Sequence, residues 1–318
     1  MLAIDLGLVN RKAHVISVRE ALTLTAVVCA CAIAFNVLVW YAYNHHLLGL
    51  GVHVDRLDGR VNTGHIAALK FFTAYLVELS LSADNVFVMA MIFAHLRIPP
   101  IYQHRVLFWG ILGALVMRGL MIVLGATLVA RYHWILYIFG VFLIYTAYKM
   151  LRSKDAHDVV TEEAFVITQL RRIVPITGEL NGPHFVSVHD GVRMLTPLAV
   201  ALVLIEAMDL VFALDSIPAT FAITADPFLV FTSNVFAILG LRSLYFVLAG
   251  IIERFRYLKV SLSAILGLIG FKMLLGEQLH ELMGANFNLY LLGVVALILL
   301  AGVLASVRAD RRTRPLSG

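Results

Sequence analysis

The chain has little charge and almost no cysteine, and both shortages narrow what the protein can be. Of its 318 residues only 14% are charged and 61% are hydrophobic, and the mean hydropathy is +0.89. This composition excludes an ordinary soluble domain and indicates a polytopic membrane protein. The two cysteines, Cys29 and Cys31, lie in an apolar run, which excludes a disulfide framework and a zinc motif. The net charge of +5 comes from basic loops between apolar runs, so we expect no nucleic-acid partner.

Long apolar runs make up most of the sequence. A membrane-spanning helix needs about 20 mostly apolar residues, and the sequence predicts about eight such spans. Their predicted ranges are 21–43, 66–94, 105–129, 133–151, 195–222, 227–251, 258–276 and 287–307. The predicted fold class is therefore all-α, a polytopic transmembrane helix bundle with the lipid bilayer around it.

The distribution of Lys and Arg predicts the orientation of this bundle. With the N terminus in the cytoplasm, only Arg56, Arg60 and Arg131 fall in outside loops, and the other basic residues outside the spans fall in inside loops. The positive-inside rule therefore predicts that both ends of this chain are cytoplasmic. In the long inside loop, 152–194, apolar and polar residues alternate around Asp190-Gly191, which predicts a small β-hairpin.

Acidic side chains interrupt the apolar runs in two places. The second predicted span contains Glu78, Asp84 and Asn85, and the fifth contains Glu206, Asp209, Asp215 and Ser216. A charge at the bilayer centre costs about 2.5–3.5 kcal/mol, so the carboxylates require pairing, protonation or a bound cation. Five intramembrane carboxylates and three predicted counter-ions leave two negative charges, which fits one divalent cation or added protons. The three predicted counter-ions are Arg118, Arg242 and Lys272.

The two acidic segments belong to a predicted internal repeat. The alignment superimposes Glu78 on Asp209, Asp84 on Asp215, Asn85 on Ser216 and Lys149 on Lys272, and it sets Arg118 near Arg242. Each unit, 66–151 and 195–276, contains three predicted spans, and an odd number of spans inverts the second unit. Inverted three-plus-three repeats are typical of transporters whose substrate binds near the midplane. Outside the two units, the predicted parts of the chain are an N-terminal part, 1–65, the inside loop, 152–194, and a last span with a basic tail, 277–318.

The residues around the acids predict the chemistry of the site. Pro218 would free the carbonyl of Leu214, and the segment SLSADN is a weak helix former, so we expect a broken or distorted helix at both motifs. Such a break would bring carboxylate, carbonyl, amide and hydroxyl oxygens together. A set of oxygens suits hard divalent cations such as Mn²⁺, Mg²⁺ or Ca²⁺.

Ion pairing with the arginines is the alternative role for the acids. The sequence leaves this alternative open for Glu78 and Glu206. For Asp84 and Asp215, duplication beside a polar neighbour favours ligation of a cation.

Longer stretches of the sequence resemble one family. The segments ELSLSADNVFV, WILYIFGVFLIYTAYKM and DLVFALDSIPATFAITADPFLVF are similar to those of the TerC family, and within it of the Alx-type proteins. The resemblance covers essentially the whole chain and implies a bacterial inner-membrane protein linked to manganese homeostasis, chiefly export, to the alkaline-pH response and to tellurium resistance. It implies that the five acids are the positions to test for metal handling. Family members usually begin with a further helix, and we expect the start of this chain to lie downstream of it.

The sequence therefore predicts a divalent-cation transporter. We expect it to export Mn²⁺ through the intramembrane carboxylates, with protons as coupling ion and no tightly bound cofactor. Two alternatives stay open: a non-transporting scaffold or sensor in a metal or tellurium stress-resistance complex, and an exporter of small organic solutes. The sequence contains no nucleophile elbow, phosphate loop or metalloprotease motif, so we expect no enzyme activity.

Overall fold

Long helices make up most of the computed structural model, which describes residues 18–132, 134–152, 166–189, 191–248, 257–275 and 287–313. The helices are α1 (Val18–Asn44), α2 (Gly64–His95), α3 (Pro100–Arg131), α4 (Ile135–Arg152), α5 (Pro197–Phe221), α6 (Pro227–Leu248), α7 (Leu258–Leu274) and α8 (Phe287–Thr313). Among these described residues, seven helices are long and apolar enough to cross a membrane. The eighth, α7, has 17 residues. The predicted all-α polytopic bundle is confirmed.

Two short β-ribbons mark the opposite ends of the bundle. The strands are β1 (Val54–Asp55), β2 (Arg60–Val61), β3 (Val186–His189) and β4 (Val192–Leu195), and they pair antiparallel as β1–β2 and β3–β4. The second pair confirms the predicted hairpin, of which the turn residue Asp190 lies outside the described residues. Gly191 has a φ of 78°, a left-handed conformation that glycine adopts without steric cost. The ends of the bundle are termed the β1–β2 face and the β3–β4 face below.

Helices of the first predicted unit pack mainly on helices of the second. In this packing α4 lies along α7, α2 along α6, and α3 along α5, while α1 and α8 pack on the outside. At the crossing of α4 and α7, a Cβ added to Gly270 would lie 2.8 Å from the carbonyl oxygen of Gly140. Small residues let two membrane helices approach this closely, which gives them van der Waals contact that lipid cannot replace.

The outward surface of the bundle carries many large apolar side chains. Val116, Val123, Val141 and Leu297 are all more than half exposed. A soluble protein rarely exposes so many large apolar side chains together. Within a bilayer the same surface faces hydrocarbon, so the exposed side chains agree with the composition of the chain.

Both acidic segments lie in continuous helices, which corrects the prediction of a broken or distorted helix. Helix α2 runs without interruption through SLSADN, and α5 runs through Pro218 to Phe221. In α2, packing on α5, α6 and α8 overrides the weak helix propensity of the segment. In α5, Pro218 comes in the last turn of the helix, where few residues remain to be displaced.

Candidate cation site

A buried arginine from α3 lies among the polar groups inside the bundle. Arg118 is 1% exposed and forms ion pairs with Glu78 of α2 and Asp209 of α5. Its Nη2 and Nε donate to the two carboxylate oxygens of Asp209 at 2.9 and 3.2 Å, which fixes both side chains. Its Nη1 also donates to Asn234 Oδ1 of α6 at 3.1 Å and to Ser216 Oγ at 3.4 Å. One guanidinium therefore joins four helices.

A cavity of about 320 Å³ extends from this cluster toward the end of α4. Glu78 and Arg118 line one part of it, and Lys149 lines another. Asp215 of α5 also lines the cavity, and its Oδ1 lies 3.2 Å from Thr146 Oγ1 of α4, within hydrogen-bond distance. The structure therefore places one carboxylate from each predicted unit around a single cavity.

Glu206 faces a different surface from Asp215. It is half-buried, and its carboxylate lies against Gly113 of α3, where an added Cβ would overlap the carboxylate oxygens. Glu206 and Asp209 thus both face α3, as their spacing of three residues on one helix predicts. Only Asp209 contacts Arg118, so the two acids have different surroundings.

Of the predicted counter-ions whose side chains are described, Lys272 lies away from the Arg118 cluster. Lys272 is buried near the β1–β2 face, and its Nζ donates to the carbonyl of Ala222. Among the described side chains, no carboxylate lies within ion-pair distance of Lys272. The side chains of Arg242 and Asp84 lie outside the described part of the chain, although their backbone belongs to α6 and α2.

Charged and neutral polar groups both line the cavity. Among the described residues, no three His, Cys, Asp or Glu side chains form a group that could hold a metal ion. The cavity instead combines two carboxylates, Arg118, Lys149 and neutral oxygens from Asn85, Thr146 and Ser216. Few charged ligands together with neutral oxygens suit a cation that keeps part of its water and is released again.

The β1–β2 face contains a second buried cluster that the sequence did not reveal. Lys70 of α2 is 1% exposed, and its Nζ lies 2.8 Å from a carboxylate oxygen of both Asp55 and Asp58. Thr224 Oγ1 and the N–H of Ala225, from the α5–α6 connection, donate to Asp55. Burial alone would raise the pKa of Asp55, but the Lys70 ammonium and these hydrogen bonds lower its pKa below the usual value. The sequence does contain one signal of this cluster: Lys70 lies inside a predicted span, and a charge in a membrane needs a partner.

Helix α1 is attached to the same cluster. Tyr43 Oη donates to Asp226 at 2.7 Å. Asn62 Nδ2 lies between Asp226 and Asp55, at 3.3 and 3.4 Å, and Lys70 donates to Asn62 Oδ1 at 2.7 Å. These contacts join α1, the β1–β2 ribbon, α2 and the α5–α6 connection into one network.

Comparison with known proteins identifies a family and several relatives of this chain. Residues 63–314 match the family described as "Integral membrane protein TerC family". The uncharacterised membrane protein STKORF319 of Myxococcus xanthus is 49% identical over 273 residues, which cover 86% of this chain and 79% of that protein. Alx of Escherichia coli K12, named as a proposed membrane-bound redox modulator, is 38% identical over 313 residues, covering 98% and 93%. The protein of the same name from Photorhabdus laumondii is 40% identical over 312 residues, covering 98% and 92%. No solved structure matches the chain.

Proposed function

We propose a function from one premise: the chain belongs to the TerC family of integral membrane proteins. This membership confirms the resemblance found in the sequence, including the Alx-type relatives. We propose that the protein is a divalent metal cation transporter that exports Mn²⁺ across the bacterial inner membrane. Both ends of the chain would lie in the cytoplasm, and the β1–β2 face would lie outside.

The cavity between the units is the observation that supports this proposal. Glu78 from the first unit and Asp215 from the second line the same volume, inside helices whose outward faces are apolar. A carboxylate within a membrane is costly and usually marks an ion or proton pathway. Among the described side chains, Asp215 has no ion-pair partner within 4 Å, so its charge is available to a cation or a proton. Oxygen ligands favour Mn²⁺ over metals that prefer thiolate.

Contacts between α4 and α7 support an inverted repeat around this cavity. The alignment of the two units sets Gly140 on Ser263 and Ala147 on Gly270. Gly140 contacts Gly270, and Ser263 Oγ donates to the carbonyl of Ala147 at 2.6 Å. If each residue is replaced by its aligned partner in the other unit, the Gly140–Gly270 contact becomes the Ser263–Ala147 contact. A two-fold axis in the membrane plane would relate the two contacts in the same way. Units related in this way can rock against each other around a shared site.

Cellular manganese after a Mn²⁺ challenge tests the proposal. Cells without their own exporters would carry the wild type, Asp215→Asn, Asp84→Asn, or Glu179→Gln, a matched control at an exposed position of the β3–β4 face. We expect the wild type and the Glu179 variant to lower manganese, and both aspartate variants to leave it at the empty-vector level. Membrane expression of each variant is checked first.

Two results would count against the proposal in different ways. If Asp215→Asn lowers manganese as well as the wild type does, Asp215 is not part of the cation path. If the wild type has no effect, manganese export is wrong, and the scaffold or organic-solute alternative replaces it.

A redox role is a second candidate because the Alx relatives are named for it. The chain has only two cysteines, Cys29 and Cys31, and both are free. They lie two positions apart on α1, so their side chains leave the helix on different sides. A disulfide between them would require α1 to unwind, and the contacts around Tyr43 hold this helix in the bundle. The structure therefore supports cation transport better than thiol chemistry.

A further inference from the structure

Three oxygen-bearing side chains are buried on one face of α2, and two of them have no hydrogen-bond donor. Glu78, Ser82 and Asn85 are spaced i, i+4 and i+7, so they lie in successive turns on the same side of the helix. All three are at most 3% exposed. Glu78 is ion-paired with Arg118, whereas within the described residues no group donates a hydrogen bond to Ser82 Oγ or Asn85 Oδ1.

Apolar residues bound this row of oxygens along the helix. Tyr75 lies one turn before it and Met89 one turn after it, and both side chains are buried. The oxygens therefore have no exposed neighbour on their own face of α2. Buried polar atoms in proteins are nearly always paired, so the unpaired oxygens of Ser82 and Asn85 beside the Glu78 carboxylate indicate a site for a positive or donating group.

Ser82 differs from the hydroxyl residues near it in α2. Ser80 Oγ donates to the carbonyl of Leu76 at 2.6 Å, and Thr73 Oγ1 donates to that of Leu69 at 2.7 Å. This bond to the preceding turn is the common way in which a helical hydroxyl is satisfied. Ser82 does not form it, so its oxygen is free to bind a ligand from the interior of the bundle.

We propose that Ser82 Oγ is a ligand of the transported divalent cation, together with the Glu78 carboxylate and Asn85 Oδ1. The assignment rests on the proposed function and adds to it a neutral hydroxyl from the helix face that borders the cavity, which Glu78 and Asn85 line. Asn85 Nδ2 lies 3.5 Å from Asp209 Oδ1, so the amide directs its nitrogen, and not its oxygen, toward that acid. Asp209 is held on both oxygens by Arg118 and is then a positioning residue.

Metal binding to the purified full chain in lipid nanodiscs tests the assignment. Free Mn²⁺ is measured by its electron paramagnetic resonance signal in titrations of the wild type, Ser82→Ala and the matched control Ser80→Ala. We expect the Kd for Mn²⁺ to rise about tenfold or more in Ser82→Ala, and to stay within about twofold of the wild type in Ser80→Ala. A monodisperse elution profile shows that each variant is folded.

A third variant separates ligation from a structural role. In Ser82→Cys a thiolate replaces the hydroxyl, and thiolates prefer soft metals. We expect Cd²⁺ to compete with Mn²⁺ at least about tenfold better in this variant than in the wild type. Altered packing alone would not change the preference between the two metals.

The possible failures are distinguishable. If the wild type binds Mn²⁺ and both alanine variants bind it equally well, or if Ser82→Cys leaves the metal preference unchanged, Ser82 is not a ligand and the transporter proposal stands. If the wild type binds no Mn²⁺, the proposed function fails and the assignment fails with it.

Discussion

Arg118 is buried inside the bundle and has two carboxylate partners. Removing its charge while keeping a polar side chain, in Arg118→Gln, leaves Glu78 and Asp209 without a counter-ion. Breaking a buried ion pair in this way costs about 3–5 kcal/mol. We therefore expect the free energy of unfolding to fall by that amount, measured by thermal unfolding of the purified protein in detergent.

Two further variants make this prediction specific. Arg105→Gln is the matched control, because Arg105 is half-buried on the β3–β4 face and stacks on Phe185. We expect it to cost less than about 1 kcal/mol. Adding Asp209→Asn to Arg118→Gln removes one unpaired carboxylate and is expected to restore part of the stability. Equal stability of the two arginine variants would contradict the role given to Arg118.

The crossing of α4 and α7 depends on the small size of Gly270. A Cβ at this position would meet the Gly140 carbonyl and Ile144 Cγ1, both at 2.8 Å, so Gly270→Ala requires the two helices to separate. Overpacking of this kind costs about 1–3 kcal/mol. Gly293→Ala on α8 is the control, because nothing lies within 4 Å of its added Cβ. Thermal unfolding of both variants measures the difference, and equal midpoints would show that the crossing tolerates a methyl group.

Asp55 holds the β1–β2 ribbon to the bundle, so we expect the stability of this attachment to fall at low pH. The pKa of Asp55 is lower in the folded protein than in the unfolded chain, where it is about 4. The unfolded chain therefore binds more protons between these two pKa values. The stability from Asp55 is fully present above about pH 4 and is lost as the pH falls through the lowered pKa.

Asp55→Asn tests this dependence at the same element. We expect the variant to be about 1–3 kcal/mol less stable than the wild type at neutral pH, because it weakens the pairing of buried Lys70. Its unfolding midpoint should also fall less on acidification, measured from neutral pH down to about pH 3. A variant that loses stability with acid as steeply as the wild type would assign the acid sensitivity to other carboxylates.

For the molecule as a whole, the positive-inside rule makes a prediction that labelling can check. Val52→Cys would place a thiol on the β1–β2 face and Glu179→Cys on the β3–β4 face, at exposed positions in both cases. The background would contain Cys29→Ser and Cys31→Ser. We expect a membrane-impermeant thiol reagent to label position 52 in intact cells, and position 179 only after permeabilisation. The reverse pattern would place the β3–β4 face outside and contradict the predicted orientation.

Local features of the fold could be predicted from the sequence, whereas features that join distant segments could not. The spans follow from runs of apolar residues, and the β3–β4 hairpin follows from alternation around Gly191, both of which are readable within a few residues. The prediction at Pro218 was wrong because a local propensity was given more weight than the position in the last turn of α5. Helix packing decides such cases.

In the candidate site, too, local features could be predicted from the sequence and contacts between distant segments could not. Glu78, Asn85 and Asp215 were singled out because polar residues are rare in apolar runs, and the structure places all three around one cavity. Thr146 and Ser82 were missed because a hydroxyl in a membrane helix is ordinary until its contacts are known. Lys70 was missed because its partners lie in the loop before its own helix, where no periodicity indicates a contact.

The order in which these charges are synthesised follows from where their partners lie in the chain. Lys70 comes 15 residues after Asp55, so the two leave the ribosome nearly together. Arg118 follows Glu78 within the first unit, whereas Asp209 comes 91 residues after Arg118. The first half can thus enter the bilayer with Glu78 already neutralised, and α5 then brings a carboxylate whose partner is in place. We therefore expect α5 to insert together with its docking on α3, because Arg118 is already in place to pair with Asp209.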